Sequence, residues 1–391
     1  MQDLGIIENG TVAIKKDKII AIGKTDEVLS KVGIGKNTKI IDVKNKVVTP
    51  GLVDCHAHPI FAETREEEFE LRIKGETYQQ IAQAGGGIKS SVSKLRKLSK
   101  EELIELALPR LNRFLSYGTT TIEAKSGYGL SIKDEIKILE AIRKLNEIHP
   151  LDLIPTFLGA HEIPEEFKSN KDGYIRLLIE KMVPLVAKRK LAKFCDIFCE
   201  KGVFDVEDSK KILLTAKKYG LVPKLHAEQL SHFGGARLAA QIGAISADHL
   251  ENANSEDIRL LKRRGVIGVL LPGATFGLGL TKYAPARTMI KDGLPVAIST
   301  DFNPGSSMTE SLPMMMSLSC LMMKMTPAET MVASTINPAY ALGVEDQIGS
   351  LQVGKKADLV IWEVRNYKEI PYHYGVNLVE KVIKNGKVLN L

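Results

Sequence analysis

Apolar and polar positions follow three regimes along this chain. Residues 1 to about 45 alternate, and "GTVAIKKDKIIAIGK" sets apolar pairs on either side of a polar turn, the pattern of a β-hairpin. The middle switches between short apolar runs and segments with apolar residues three or four apart. "SKEELIELALPRLNRFLSYG" and "SEDIRLLKRRG" are of the second kind and read as amphipathic helices. The last stretch returns to short strands with Gly and Asn turns, in "GSLQVGKKADLVIWEV" and "VEKVIKNGKVLNL". Eight candidate strands occupy the middle: "VVTPGLVDCH", "TTTIEAKSG", "LDLIPTFLGAH", "FCDIFCE", "VPKLHAE", "AISADH", "VIGVLLPG" and "LPVAISTD".

Eight strands, each followed by a helical or looped segment, predict an α/β fold, a (β/α)8 TIM-type barrel. The flanking strands then meet as a small β-sandwich domain built from both chain ends. The expected division is 1–48 and 346–391 for that domain and 49–345 for the barrel. The long connection between the first two barrel strands, residues 62–100, contains "AQAGGGIKSS". It matches neither a P-loop nor a dinucleotide fingerprint, and it reads equally as an active-site flap or a solvent loop. The Met-rich "MMMSLSCLMMKM" reads as a buried helix of the barrel shell.

Composition narrows the function classes. The chain has 391 residues, 44% of them hydrophobic, enough for a large core. No run of eighteen apolar residues occurs, so no membrane span is expected. The first residues lack the layout of a signal peptide, and four cysteines without framework spacing fit a reduced, cytoplasmic setting. The net charge is +7 and the sequence pI about 9.0. That charge is scattered in clusters such as "AKRK" and "LKRR", and the aromatics, 6% of the chain, are not interleaved with them. A solvated surface is expected, and nucleic acid is not expected as a partner.

Barrel enzymes carry their chemistry where strands end and βα loops begin. The expected strand ends hold His56 and His58, His161, His226, His249 and Asp301, so five of the eight histidines fall there. On a strand, residues i and i+2 share a face about 7 Å apart, which lets His56 and His58 converge on one cation. Alone, such a pair fits two hydrogen-bonded imidazoles equally well. As a set, three imidazoles and a carboxylate match a catalytic zinc or iron site with room for water. Such a cation brings the pKa of a water towards neutrality, and a neighbouring carboxylate can carry the proton to a leaving nitrogen. Hydrolysis of an amide-like C–N bond follows. Cys195 and Cys199 lack C-x-x-C spacing and read as packing; Cys55 should face away from His56.

"PGLVDCHAH", the histidines on the fifth and sixth strands, "STD" on the eighth and "GSLQVGKKADLVIW" resemble the amidohydrolase superfamily. "KSGYGL", "LGAHEIPEEF", "CDIFCEKGVF", "KLHAEQLSHFGGARLAA" and "STDFNPGSS" are similar, more narrowly, to the imidazolonepropionase family, from about residue 5 to 385. That resemblance implies hydrolysis of 4-imidazolone-5-propanoate to N-formimino-L-glutamate by a homodimer. Each subunit would hold one divalent or trivalent metal ion, zinc or iron. It implies His56, His58, His226 and Asp301 as metal ligands, with His249 beside the metal-bound water and Asp301 as proton carrier. It implies Arg65, Tyr128, His161, Gln229, Asn303, Gly305 and Ser306 as substrate contacts. It also implies more chain before the hairpin, so the expectation is either that one strand of the small domain is missing or that the start of the chain differs.

The residues bear on those roles separately. The substrate carries a carboxylate, and an Arg fork pairs bidentately with one; Arg65 also fits a surface ion pair within "TREEEFE". Tyr128 fits a packing anchor as well. "NPGSS" offers backbone N–H groups as an anion nest does, or forms an ordinary turn. Glu228 shares a strand face with His226, which suits a proton carrier or a buried ion pair. The ring carbonyl oxygen could be stabilised by His161 or His249. A deaminase of a cyclic amidine or nucleobase-like ring, with the same ligand set, is the alternative activity.

Overall fold

A computed structural model describes residues 1, 3–76, 80–81 and 85–390. Eight strands run parallel in sequence order: β4 (Leu52–Asp54), β5 (Thr119–Lys125), β6 (Asp152–Ala160), β7 (Phe194–Cys199), β8 (Val222–Ala227), β9 (Ser246–His249), β10 (Ile267–Leu270) and β11 (Val296–Ile298). Helices follow the strands and cover the sheet, so the expected (β/α)8 layout is the observed one. The main apolar core, including Leu111, Phe114, Ile138, Ile142 and Leu213, lies between strands and shell helices.

The helices begin where the local chemistry asks them to. Ser99 caps the helix Lys100–Ser116, accepting from Glu102 N–H while the Glu102 carboxylate accepts from the Ser99 N–H. Asn254 does the same with Asp257 for Ser255–Arg263. The Met-rich segment forms the helix Leu312–Met323, with Met315, Met316 and Met323 buried.

The expected first strand is in fact two. β3 (Val47–Pro50) pairs antiparallel with β12 (Leu359–Trp362) in the small domain, and β4 starts the barrel. The exchange occurs at Gly51, whose N–H donates to Asp358 O while the next N–H, of Leu52, donates to Gly118 O. A Cβ at Gly51 would lie 2.2 Å from Thr120 Oγ1, so only glycine lets the chain cross there. The small domain has a four-stranded sheet in the order β14 (Lys387–Val388), β13 (Val379–Lys384), β12, β3. A two-stranded hairpin, β1 (Gly10–Lys15) with β2 (Lys18–Lys24), completes it. Ile19, Leu359, Ile361 and Ile383 fill the space between. The expected strand in "GSLQVGKK" does not form; apart from a lone antiparallel bridge of Lys356 with Lys18, those residues are loop and turn.

Barrel closure between β11 and β4 happens just beyond the strands. Ala57 and Phe302 form a parallel bridge, Asp301 N–H donates to His56 O at 3.0 Å, and His58 N–H donates to Phe302 O at 2.8 Å. The C-terminal ends of the first and last barrel strands are thereby fixed side by side. Of the connection 62–100, residues 77–79 and 82–84 lie outside the described residues, and with them part of "AQAGGGIKSS". Among the described residues no helix is long and apolar enough to cross a membrane.

Candidate metal centre and active site

The closure places three candidate ligands together. His56 Nε2 and His58 Nε2 each lie 3.5 Å from Asp301 Oδ1. His226, at the end of β8, stacks edge-on against His56 with ring centroids 4.5 Å apart. His249 follows at 5.2 Å from His226 and 5.6 Å from His56. Donor atoms of His56, His58 and Asp301 fall within 4.8 Å of one another, and so do those of His56, His226 and His249. His161 stacks on His58 at 5.3 Å, and the Tyr128 ring stands 5.5 Å from His161.

These side chains fit a cation. All are buried, and His56 Nε2 has no hydrogen-bond partner although its other nitrogen, Nδ1, is 2.6 Å from Asp248 Oδ2. A buried, unsatisfied nitrogen aimed at a carboxylate and other imidazoles is the arrangement a metal completes. Burial, followed by the Lys125 ammonium, pushes His56 well below the usual histidine range. Burial, followed by His161, does the same to His58, and burial takes His226 down to about 4. The imidazoles are therefore neutral with lone pairs to give. Burial pushes Asp301 up to about 7; a cation held between the rings would favour its carboxylate form.

Four residues here carry φ > 0 without being glycine: Glu228 (56°), His249 (80°), Leu250 (69°) and Asp301 (50°). Such backbone is costly for ordinary residues and collects at functional sites. At His249 it ends strand alternation, so Asp248 and His249, neighbours in sequence, both reach the imidazole cluster. The same turn brings Glu251 back, its Oε1 3.7 Å from His249 Nδ1. Burial alone would lower His249, but Glu251 and then Asp301 outweigh it and draw its pKa up. Glu251, Gln229, Asn252, Thr275 and Lys282 line a cleft of about 310 Å³ beside the cluster.

The Arg65 side chain, 7% exposed, lies against the turn after β11. Its Nη2 pairs with Glu68, its Nε is buried without a partner, and a Cβ on Gly305 would lie 2.5 Å from its Nη1. A half-satisfied guanidinium is a seat for an anion. The turn itself differs from an open nest. Asn303 Oδ1 already accepts from the Gly305 and Ser306 N–H groups, both at 2.8 Å, because an Asn side chain folds readily onto the backbone two or three residues on. Ser306 Oγ stands 3.5 Å from Asp301 Oδ2.

Glu228 is not brought to the imidazoles. Its carboxylate accepts the N–H groups of Phe233 (2.6 Å), Gly234 (3.0 Å) and Ala236 (3.0 Å), which start the helix Gly235–Ile242. Its positive φ breaks the alternation that would have put it on the His226 face. Cys55 Sγ accepts from Ser299 Oγ at 3.3 Å, in a separate apolar cluster with Val53 and Ala297. Cys195 and Cys199 are buried and free. Sequence reasoning missed Asp196, Asp248 and Glu251; Asp248 and Glu251 lie near the end of an expected strand, whereas Asp196 lies inside one and gave no such signal.

Comparison with known proteins agrees with this geometry. The amidohydrolase family model matches residues 47–389. The imidazolonepropionase of Geobacillus thermodenitrificans (strain NG80-2) is 52% identical over 391 residues, covering 100% of this chain and 92% of that protein. The imidazolonepropionase of Alkaliphilus metalliredigens (strain QYMF) is 49% identical over 391 residues with the same coverage. Among solved structures, an adenosine deaminase from Xanthomonas campestris with bound zinc matches with TM-score 0.72 and 19% identity, covering 98% of this chain and 88% of that one. A 5-methylcytosine deaminase from Klebsiella pneumoniae matches with TM-score 0.75 and 17% identity, covering 97% and 94%. Identities this low speak for the fold alone.

Proposed function

Because the chain belongs to the amidohydrolase family and stands with the imidazolonepropionases within it, we propose that it hydrolyses the ring C–N amide bond of 4-imidazolone-5-propanoate to give N-formimino-L-glutamate. The observation that carries this reading is that one turn, Asp301 to Ser306, touches both the imidazole–carboxylate cluster, through Asp301, and the Arg65 guanidinium with its free Nε, through Gly305. A nucleobase has no carboxylate for that guanidinium, so the deaminase alternative has no support here.

His56, His58, His226 and Asp301 would hold one metal ion, zinc or iron, which when bound supplies Lewis acidity and a water of lowered pKa. Arg65 takes the propionate, which replaces part of its contact with Glu68. Gly305 lets the guanidinium lie flat on the turn, and Asn303 and Ser306 fix that turn's shape. Tyr128 and His161 frame the flat ring, and His161 is turned by its Nδ1 contact with Gly127 O at 3.0 Å. His249, held by Glu251, faces the charge that develops on the carbonyl oxygen. Asp301 takes a proton from the attacking water on Oδ2, the oxygen beside Ser306. The ring C–N bond breaks as the leaving nitrogen receives that proton, and the carbonyl carbon becomes the second carboxylate. Gln229 stands at the cleft edge, where the product's formimino end would pass. Glu228 builds the wall behind by fixing the next helix.

A homodimer in the cytoplasm, engaging neither nucleic acid nor membrane, completes the reading; its support is the family resemblance and the scattered positive charge. The test supplies the substrate in place with urocanase and follows N-formimino-L-glutamate by mass spectrometry, with and without chelator. Chelator-sensitive product above the spontaneous background is expected. Folded, metal-loaded protein that makes none would overturn the assignment.

A further inference from the structure

Beneath the imidazoles lies a layer that the proposed reaction does not use. Barrel interiors are filled mostly by branched apolar side chains. Here Glu123 and Lys125 on β5, Asp196 on β7, Lys224 on β8 and Asp248 on β9 all sit inside, each with 0% exposure. Burying five charged groups is expensive unless they pair closely, and they do. Lys125 Nζ is 2.6 Å from Asp196 Oδ2 and 3.1 Å from Glu123 Oε1. Lys224 Nζ is 2.6 Å from Glu123 Oε2 and donates to Cys55 O at 2.9 Å. Both ammonium groups stand 3.8 Å from Asp248 Oδ2.

Two carboxylates of this layer reach upward to the candidate metal ligands. Asp248 Oδ2 is 2.6 Å from His56 Nδ1, and its other oxygen is fixed by Ser246 Oγ at 2.6 Å. Asp196 Oδ2 is 3.0 Å from His226 Nδ1. The His226 contact is poorly aligned for a hydrogen bond, so Asp248 is the stronger of the two supports. We propose that Asp248 and Asp196 are positioning residues for the metal-holding imidazoles, and that Lys125 and Lys224 hold those two carboxylates in place.

The inference rests on the ligand set proposed above. An acceptor at Nδ1 forces the proton onto that nitrogen and leaves Nε2 with its lone pair facing Asp301. His56 Nε2, without a hydrogen-bond partner, is in that condition. The donor atoms of His56, Glu123 and Asp248 also lie within 4.8 Å of one another. The two ammonium groups already supply positive charge there, so this lower cluster is a support and not a second metal site. Two lysines against three carboxylates leave one net negative charge under the ligands, which favours a cation above them.

The experiment measures metal affinity, by competition with a chromogenic chelator, for the wild type, Asp248→Asn and Asp196→Asn. Zinc is the probe. A loss of about 10- to 100-fold is expected for Asp248→Asn, the range that outer partners of metal ligands command. Glu329→Gln, at the Arg287–Glu329 ion pair outside the barrel interior, is the comparison: its melting temperature is expected to fall with zinc affinity unchanged. Nitrogen-15 NMR of the wild type needs no folded variant and is expected to show His56 with its proton on Nδ1. Unchanged zinc affinity in both Asn variants, or a wild-type His56 protonated on Nε2, overturns the inference alone. A wild type that takes up no zinc and no iron sinks the ligand set, and the inference with it.

Discussion

Gly305→Ala is the most direct test of the anion seat. The added Cβ would stand 2.5 Å from Arg65 Nη1. An ordinary contact begins at 3.4 Å, so the guanidinium must retreat by about 0.9 Å. The next neighbour of that Cβ, Asn303 Oδ1 at 3.2 Å, needs only a small adjustment, so the turn survives. Gly305 does not have positive φ, so alanine brings no backbone strain. The loss therefore falls on the guanidinium's contacts to substrate. Hydrogen bonds to charged groups are worth about 1.5–3 kcal/mol each, and a displacement of this size spoils at least one of the two in a bidentate pair. KM is expected to rise by about 10- to 100-fold at 25 °C, with kcat changed much less. Steady-state kinetics with substrate generated in place would measure both. A substrate analogue with the carboxylate converted to an amide should bind wild type and variant alike. A KM for Gly305→Ala equal to that of the wild type, in a protein that melts normally, would refute the placing of the propionate at Arg65.

Chelator treatment is expected to abolish turnover and to lower the melting temperature by calorimetry, with both restored by zinc or iron; a chain indifferent to chelation would contradict the metal centre. In the metal-free chain His161 and His226 each contribute a loss of stability as pH falls, against an opposite contribution from Asp301, whose folded value lies at about 7. His161 and His226 lie at about 4 in the folded chain and near 6.5 unfolded, so the unfolded state binds more protons across that window. The loss from these two begins near pH 6.5, ends near pH 4, and amounts to roughly 3 kcal/mol per group; a His161→Asn chain whose urea midpoint falls with pH as much as the wild type's would count against it. Ser99→Ala removes the N-cap of the helix Lys100–Ser116 and should cost about 1 kcal/mol with kinetics unchanged.

Much of this architecture is written in local patterns. Strand-length apolar runs and capped, amphipathic helices mark the barrel without knowledge of any contact, and strand ends are where its histidines sit. The break between β3 and β4 is not marked, because only the contact of Gly51 with Thr120 and Asp358, distant in sequence, divides one apolar run between two sheets. Asp248 and His249 are side by side, and regular alternation allows one of them at most to face inward; the left-handed backbone at His249 admits both. Glu228 fails in the opposite sense, since the same kind of backbone turns it to the helix start at Gly234 and Ala236. The amides of "NPGSS" look open as a string of letters because nothing local says that Asn303 will fold back onto them. Asp196, between two cysteines, looks like any strand acid until Lys125 and His226 are seen around it.

The seam that closes the barrel joins residues far apart in the chain: Ala57 bridges Phe302, and Cys55 N–H donates to Ser299 Oγ across 244 positions. Contacts of such high sequence separation form late, after most loop-closure entropy has been spent. His56 and His58 emerge early in synthesis, while Asp301 must wait for seven further strands. A growing chain therefore offers stray ions imidazoles alone, two at first and a third once His226 emerges, and the complete cage exists only once the last strand has docked. Uptake of the ion would then mark the finished barrel and lock its seam, so that assembly is timed by the order in which the ligands are translated.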